Sequence, residues 1–455
     1  MTGNLPRHIV HEDKDKFSSD DQSILKNIEA IEFAQNSRRS RYLASNTIAD
    51  QFIVWIPSWR FAEAAKSVAI ASSRLSQKLD ELNEWFDALR TLAVQLQGTN
   101  KFLVTASGTS TDTFINRVSE IFQIPTLALK PFPKSPTQKW FRETAAEQGS
   151  SLQTFGYYKL RDDVPKNSTN VNELVIASAD SCFLLSVRNK GNILAAAKRR
   201  LELNSTPGST RLLINRSFTP KSVEKVLLES GATAWWLFDK TPAHEHQSLA
   251  VQISKTPLLS LDEVKTENYL LHWTRRRVGP WPDQTQPEFI DDLIFQTTRR
   301  NHGEISALCR ILAARRIFGS SELTRDRRPV VCFADLPLEQ LPSKRVFRPH
   351  LSRWDFELFG IAIERELLVE LNAKQVIYAE EKDWESLPSE KRPFFQRRQT
   401  SSEKIDWQSE NEWRLIGDLN LELVPHDRAV VFVRTISDAH KVAELSHWPV
   451  VAIEE

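Results

Sequence analysis

Lys101-Phe102-Leu103-Val104-Thr105-Ala106-Ser107-Gly108-Thr109-Ser110-Thr111-Asp112, running on to Phe122, is the stretch on which the fold turns. Phe102 to Ala106 is a short apolar run, Ser107 to Ser110 a small polar loop, and Asp112 to Phe122 has the apolar spacing of an amphipathic helix. Strand, loop and helix in that order form the unit from which parallel sheets are built.

The same rhythm continues outward. Thr126 to Leu129 reads as another strand. Cys182-Phe183-Leu184-Leu185-Ser186-Val187 leads through Asn189-Lys190-Gly191-Asn192 into a helix from Ile193 to Leu203. Leu212-Leu213-Ile214 and Thr233 to Leu237 flank a helical Pro220 to Glu229 closed by Gly231. Such alternation predicts a parallel sheet covered on both faces. Upstream, Phe52 to Ile56, stopped by Pro57, reads as a buried strand. The spacing of Val68, Ile70, Leu75, Leu79, Leu82, Phe86, Leu89 and Leu92 predicts a helix within 60–96. Residues 1–24 are polar and without periodicity, which predicts a mobile arm.

With 455 residues, two domains are the natural expectation. Sixty Lys and Arg against 59 Asp and Glu argue against nucleic acid wrapped over the whole surface, while leaving room for a local basic groove. Cys182, Cys309 and Cys332 are too widely spaced for a disulfide framework or a paired metal motif, which fits a reducing cytoplasm. No apolar run approaches a membrane span, and the acidic N-terminal segment is unlike a signal peptide. His244-Glu245-His246 has no third ligand nearby and reads as surface polarity, so no metal is expected.

The pattern changes near Glu263. The expected divisions are an arm at 1–24, a Rossmann-like α/β domain at 25–262 and an α+β domain at 263–455. The second half opens on a strand, Tyr269 to Arg275, with His272 and Thr274 on one face. Ile305, Leu308, Ile311 and Leu312 mark an amphipathic helix. Short strands follow within Pro329–Leu338, at Phe359–Ile363, Gln375–Tyr378 and Val430–Val433, and within Pro449–Ile453.

Two places carry candidate chemistry. Ser107, Gly108 and Thr109, and likewise Gly191 and Asn192, stand where a helix N-terminus presents free N–H groups to a phosphate. Neither loop is a full nucleotide fingerprint, and ordinary turns and caps are the competing reading. The second place is Glu410-Asn411-Glu412-Trp413-Arg414. In a strand, Glu410 and Glu412 share one face, which calls for a cation, a ligand or work for a raised pKa. Arg414 on the same face supplies the alternative, a structural ion pair.

In its order of elements the first half resembles the Rossmann-like nucleotide-sensing domains related to the DNA-processing and cytokinin-releasing protein families. In the second half, the His-x-Thr strand, Val331-Cys332-Phe333 with its Pro-Leu, Gly360-Ile361-Ala362-Ile363, Val376-Ile377-Tyr378 and Glu410-x-Glu412 resemble the ADP-ribosyltransferase fold over roughly 268–435. Val331 to Tyr378 also resembles the abortive phage-resistance family AbiGi. The resemblance implies an α/β Rossmann-like domain followed by an α+β ADP-ribosyltransferase-like domain. It implies NAD as substrate, with ADP-ribose transferred to a macromolecular acceptor, nucleic acid or protein, or NAD hydrolysed, under control of a nucleotide sensed by the first half. Glu412 would stabilise the ribosyl cation, Glu410 would take the acceptor proton and His272 would hold the ribose. Thr274, Arg275 and Arg414 would line the cleft. A cytoplasmic defence protein, able to oligomerise, is the implied setting. Two alternatives stand beside this reading, the first of them favoured by Phe333-Ala334-Asp335, where the family carries Ser-Thr-Ser or Tyr. One is a non-catalytic nucleotide- or partner-binding regulator. The other is a nucleic-acid-binding effector using Arg275, Arg276, Arg277, Arg315, Arg316, Arg325, Arg327 and Arg328.

Overall fold

The computed structural model describes residues 28–32, 49–57, 66–131, 152–160, 168–203, 211–216, 218–235, 256–264, 266–322, 324–348, 353–398 and 411–454. The expected arm at 1–24, the His244-Glu245-His246 triplet and Glu410 lie outside the described residues.

The chain divides into two compact units. Unit 1 comprises residues 1–243 with 286–300, and unit 2 comprises 244–285 with 301–455. The change of sequence pattern divides the chain once, at 262/263, whereas the folded chain returns to unit 1 for a segment well inside the expected second half.

Unit 1 is built on nine described strands: β1 (Ile28–Glu32), β2 (Ala49–Pro57), β3 (Lys66–Ser72), β4 (Lys101–Ala106), β5 (Thr126–Pro131), β6 (Gln153–Leu160), β7 (Ser181–Ser186), β8 (Arg211–Asn215) and β9 (Thr233–Trp235). Their order is β1-β2-β6-β5-β4-β3-β7-β8-β9. From β6 to β9 every neighbouring pair is parallel, and β1 and β2 close one side as antiparallel strands. This is the Rossmann-like parallel sheet that the alternation of elements predicts. The chain steps one way from β3 to β6, crosses back, and steps the other way from β7 to β9. The strand order therefore reverses between β3 and β7, the point where doubly wound sheets open a crevice at their carboxyl ends.

The helices are α1 (Asn83–Leu96), α2 (Asp112–Phe122), α3 (Ser168–Ser178), α4 (Asn192–Leu203), α5 (Lys221–Glu229) and α6 (Gln286–Phe295). Two cores lie on opposite faces of the sheet. Ala69, Ala71, Val104, Ala106, Cys182 and Leu184 pack with Leu174, Ile176, Ala196 and Leu227 of α3, α4 and α5. Val68, Ile70, Leu103 and Leu185 pack with Phe86, Leu89, Ile115 and Leu293 of α1, α2 and α6. Trp85, Phe86 and Phe114 meet edge to face at centroid distances of 5.0 to 5.4 Å.

The helix expected over 60–96 is corrected here. Residues 66–72 are the central strand β3, and the described helix begins only at Asn83. The cause is two-sided burial: Ser67 to Ser72 are all buried, so polar alternation is absent, and small residues face one core while Val68 and Ile70 face the other. Alanine and serine at those positions lend a central strand the look of a helix.

Unit 2 holds a five-stranded sheet in the order Leu258–Leu259, Val450–Ala452, Ala429–Val433, Gly360–Glu364 and Tyr269–Trp273. A smaller antiparallel sheet pairs Trp413–Ile416 with Val330–Phe333 on one side and Lys374–Gln375 on the other. The two sheets touch through the bridge Leu271–Ala334. Gly360 is required on the strand between Ala429–Val433 and the edge strand Tyr269–Trp273: an added Cβ would lie 2.2 Å from the His272 carbonyl and 2.5 Å from Phe432 Cζ.

Candidate nucleic-acid interface and the Glu412 pair

Three loops meet at the carboxyl end of the unit 1 sheet. The loop after β3 begins Ser73-Arg74. Ser73 N–H donates to the Ser186 carbonyl at 2.8 Å, and Arg188 N–H donates to Ser73 Oγ at 3.1 Å. The Arg188 guanidinium donates to the Arg74 carbonyl at 2.7 Å. Those bonds fasten the β3 loop to the β7 loop across the reversal point. On the other side, Ser110 Oγ donates to the Ser72 carbonyl at 2.7 Å and Thr111 Oγ1 to the Ile70 carbonyl at 3.1 Å, which fastens the β4 loop. Trp85 Nε1 donates to buried Ser72 Oγ at 3.1 Å and braces the end of β3 from below.

The two loops singled out in the sequence both stand at this edge, but they differ chemically. Thr109 turns its own N–H and hydroxyl back onto the Ala106 carbonyl, at 3.2 and 3.0 Å. Asp112, in the first turn of α2, accepts from Thr105 Oγ1 and Asn116 Nδ2. A carboxylate therefore already occupies the positive end of α2, and Ser107, Gly108 and Thr109 form a closed turn. At α4 the first turn holds no acid. Gly191, with φ of +150° and open space where a Cβ would stand, precedes Asn192, and Ala195 N–H closes onto its carbonyl. Arg74, Arg188, Lys190 and Gly191 are all exposed. Of the two loops, Gly191-Asn192 is the more open, and it is flanked by cations that the sequence motifs do not single out. Arg74 is hidden because β3 has the spacing of a helix. Arg188 and Lys190 sit beside Gly191 in the chain, yet nothing local shows that they join Arg74. Arg216, at the end of β8, is paired with Glu224.

The residues expected to handle NAD have other occupations. Arg414 donates to both Glu412 oxygens, from Nε to Oε1 at 2.8 Å and from Nη2 to Oε2 at 3.2 Å. It donates further to the Pro393 and Phe395 carbonyls and to Gln396 Oε1 at 2.9 to 3.0 Å, and its side chain is 1% exposed. Burial opposes the Arg414 charge, and Glu412 more than offsets it, raising its pKa. Burial also pushes the neighbouring Cys332 thiol well up. Glu412 precedes the strand, and Asn411 before it has a left-handed φ of +44°, so the backbone is not extended at Asn411. His272 Nδ1 lies 2.9 Å from the Cys332 carbonyl, and desolvation lowers its pKa. Thr274 is buried and donates to the Glu304 and Phe359 carbonyls, while Arg275 lies 3.7 Å from buried Asp355. Of the arginines proposed for nucleic acid, Arg276, Arg316, Arg325 and Arg328 are also in ion pairs. Among the described residues no cluster of three His, Cys, Asp or Glu is placed to hold a metal, and no helix is long and apolar enough to cross a membrane.

No family model and no curated protein matches this chain. Among solved structures it is similar to DNA processing protein A from Helicobacter pylori, described for its single-stranded DNA binding mode, at 17% identity and a TM-score of 0.31, covering 45% of this chain and 90% of that one. It is also similar to DNA processing protein A from Streptococcus pneumoniae, at 11% identity and a TM-score of 0.29, covering 51% of this chain and 80% of that one. The expectation that the second half cleaves NAD through Glu412, Glu410 and His272 is corrected on the geometry: the Glu412 carboxylate is taken up by the buried Arg414 guanidinium and the His272 ring faces the Cys332 carbonyl, while Glu410 lies outside the described residues.

Proposed function

We propose that this protein is a nucleic-acid-binding protein whose unit 1 holds phosphates at the carboxyl edge of its sheet. The observation that carries this reading is the fastening of the β3 and β7 loops, which sets exposed Arg74 beside Arg188, two residues before the exposed Lys190-Gly191 pair that leads into the acid-free first turn of α4. Exposed cations there attract a phosphate backbone, and the α4 N–H groups and the small Gly191 let one phosphate approach closely. For unit 2 we propose no activity.

The test is fluorescence anisotropy of a labelled oligothymidine against the full chain over a salt series. Affinity should fall steeply with salt. Arg74→Ala with Lys190→Ala should weaken binding and reduce the salt slope by about 0.7 for each phosphate that is no longer neutralised. Gly191→Leu should weaken binding by closing the cradle. Salt-independent binding, or unchanged affinity in the double variant, would contradict the reading. A mononucleotide that raises the melting temperature while oligothymidine fails to bind would replace the strand with a small nucleotide as ligand.

A further inference from the structure

In unit 2, three exposed side chains with basic nitrogens, Arg315, His426 and His447, come from three separate segments that hydrogen bonds hold together. The helix Glu304–Ala314 ends on Arg315, which has a left-handed φ of +45° and whose carbonyl accepts from Leu421 N–H at 2.9 Å. That bond sets the helix end against the turn leading from Leu421 to His426. Trp448, 1% exposed, anchors the same turn, its Nε1 donating to the Val424 and Pro425 carbonyls at 3.3 and 3.2 Å. Ser446 Oγ accepts from Trp448 N–H at 3.1 Å and donates to the Trp448 carbonyl at 2.6 Å, which fixes the segment carrying His447. The His426 and His447 rings stand 5.5 Å apart and nearly perpendicular, and the His447 ring meets Trp448 edge to face at 5.4 Å.

Acids do not neutralise this group. Arg315 has no ion pair among the described residues, whereas Arg316 beside it is paired with Asp418. Glu422, Asp427 and Glu444 are exposed and close by in the chain, yet none forms an ion pair with Arg315, His426 or His447 among the described residues. Burial first, and then the charges of Arg315 and His426, hold the His447 pKa below its ordinary value. A proton on His447 is thus opposed by its neighbours, and an anion among the three relieves that opposition. A metal cation suits the place less well. Arg315 repels it, and among the described residues no cluster of three His, Cys, Asp or Glu completes a coordination set.

We propose that Arg315, His426 and His447 form a binding site for a phosphate group. Guanidinium and imidazole N–H groups are strong donors to phosphate oxygens, and donors arriving from three segments suit a tetrahedral anion. The chemistry is the same for inorganic phosphate and for a phosphate of a nucleic-acid strand. The site shares no residue with the unit 1 crevice, so either can fail without the other.

The experiment follows the histidine rings of the full chain by NMR after isotopic labelling of histidine, with the two resonances assigned from His426→Asn and His447→Asn. Inorganic phosphate and an oligothymidine lacking a terminal phosphate are titrated separately, against chloride at equal ionic strength. Saturable shifts of both rings are expected. Shifts with phosphate alone identify a free anion as the ligand, and shifts with oligothymidine at lower concentration identify a strand. Phosphate should raise the His447 pKa, and by linkage its affinity should rise as pH falls below about 6.5. Arg315→Met should weaken binding by about tenfold or more. In the ligand-free protein the same change should raise the His447 pKa, which a merely structural arginine would not do. Rings that respond only to ionic strength, an Arg315→Met variant as tight as wild type, or shifts produced by zinc and not by either phosphate probe would overturn the proposal.

Discussion

At the residue scale, Arg414 concentrates the electrostatics of unit 2. It is the guanidinium that Glu412, two backbone carbonyls and Gln396 surround, and removing it leaves buried acceptors and a partly buried carboxylate without their partner. Breaking one side of such a buried pair costs about 3–5 kcal/mol. Arg414→Met should therefore lower unit 2 stability strongly in denaturant titration, and Glu412→Gln should cost less because the amide oxygen still accepts. His272 supplies a pH test. Its folded pKa is depressed, chiefly by desolvation, so the folded state resists protonation that the unfolded chain accepts. Its contribution is fully present above the unfolded value of about 6.5 and is lost as pH falls toward the folded value. His447, also depressed chiefly by desolvation, acts in the same sense. His272→Asn should flatten part of the stability loss below about pH 6.5 in thermal melts. An unchanged pH profile would remove His272 from that account.

At the element scale, β3 and the strand Gly360–Glu364 set the two sheets. Gly360 has no room for a methyl group between the His272 carbonyl, Trp273 Cα and Phe432. Gly360→Ala forces backbone apart across the Tyr269–Trp273 pairing, and overpacking of this kind costs about 1–3 kcal/mol. Hydrogen exchange should show the loss first at Leu270 to Trp273. In β3 the small residues matter in the same way: Ala69 is wholly buried between α3, α4 and the sheet. A larger side chain there disturbs the strand whose carboxyl end carries Ser73 and Arg74. Ala69→Leu should weaken oligonucleotide binding together with stability, whereas Lys190→Ala should weaken binding alone.

At the scale of the whole molecule, the two-unit division depends on a segment far along the chain. Phe289, Ile290, Leu293 and Ile294 of α6 fill the core of unit 1 beneath α1 and α2. Arg117 grips Asp291 through two bonds of 2.5 and 2.6 Å, and Arg90 donates to the Ile294 carbonyl at 3.0 Å. Leu293→Ala should cost about 2–5 kcal/mol, and the loss should register in unit 1 exchange protection. A truncation ending near residue 262, where the sequence pattern changes, removes α6 and should leave unit 1 less stable than one that keeps 286–300 tethered. Limited proteolysis with melting of both pieces checks this.

The sequence by itself determined the elements whose signal is local. The run Phe102 to Ala106, the turn through Gly108, the helix from Asp112 and the repeat at Cys182 to Leu203 were all legible, because apolar periodicity and glycine positions act over a few residues. The pairing of Glu412 with Arg414 was legible as an alternative, since a spacing of two admits it. What only the tertiary structure decided were matters of distant partners. β3 is a strand because both its faces are covered, by helices far along the chain. Asn411 turns the backbone before Glu412, which local alternation cannot show. The Ser73-Arg74 loop joins Arg188 through bonds spanning more than a hundred residues. Arg315, His426 and His447 come together only through the bonds of Leu421 and Trp448, and α6 belongs to unit 1 only because that core lacks one wall without it. Most of these depend on partners remote in sequence, which only the assembled fold brings together.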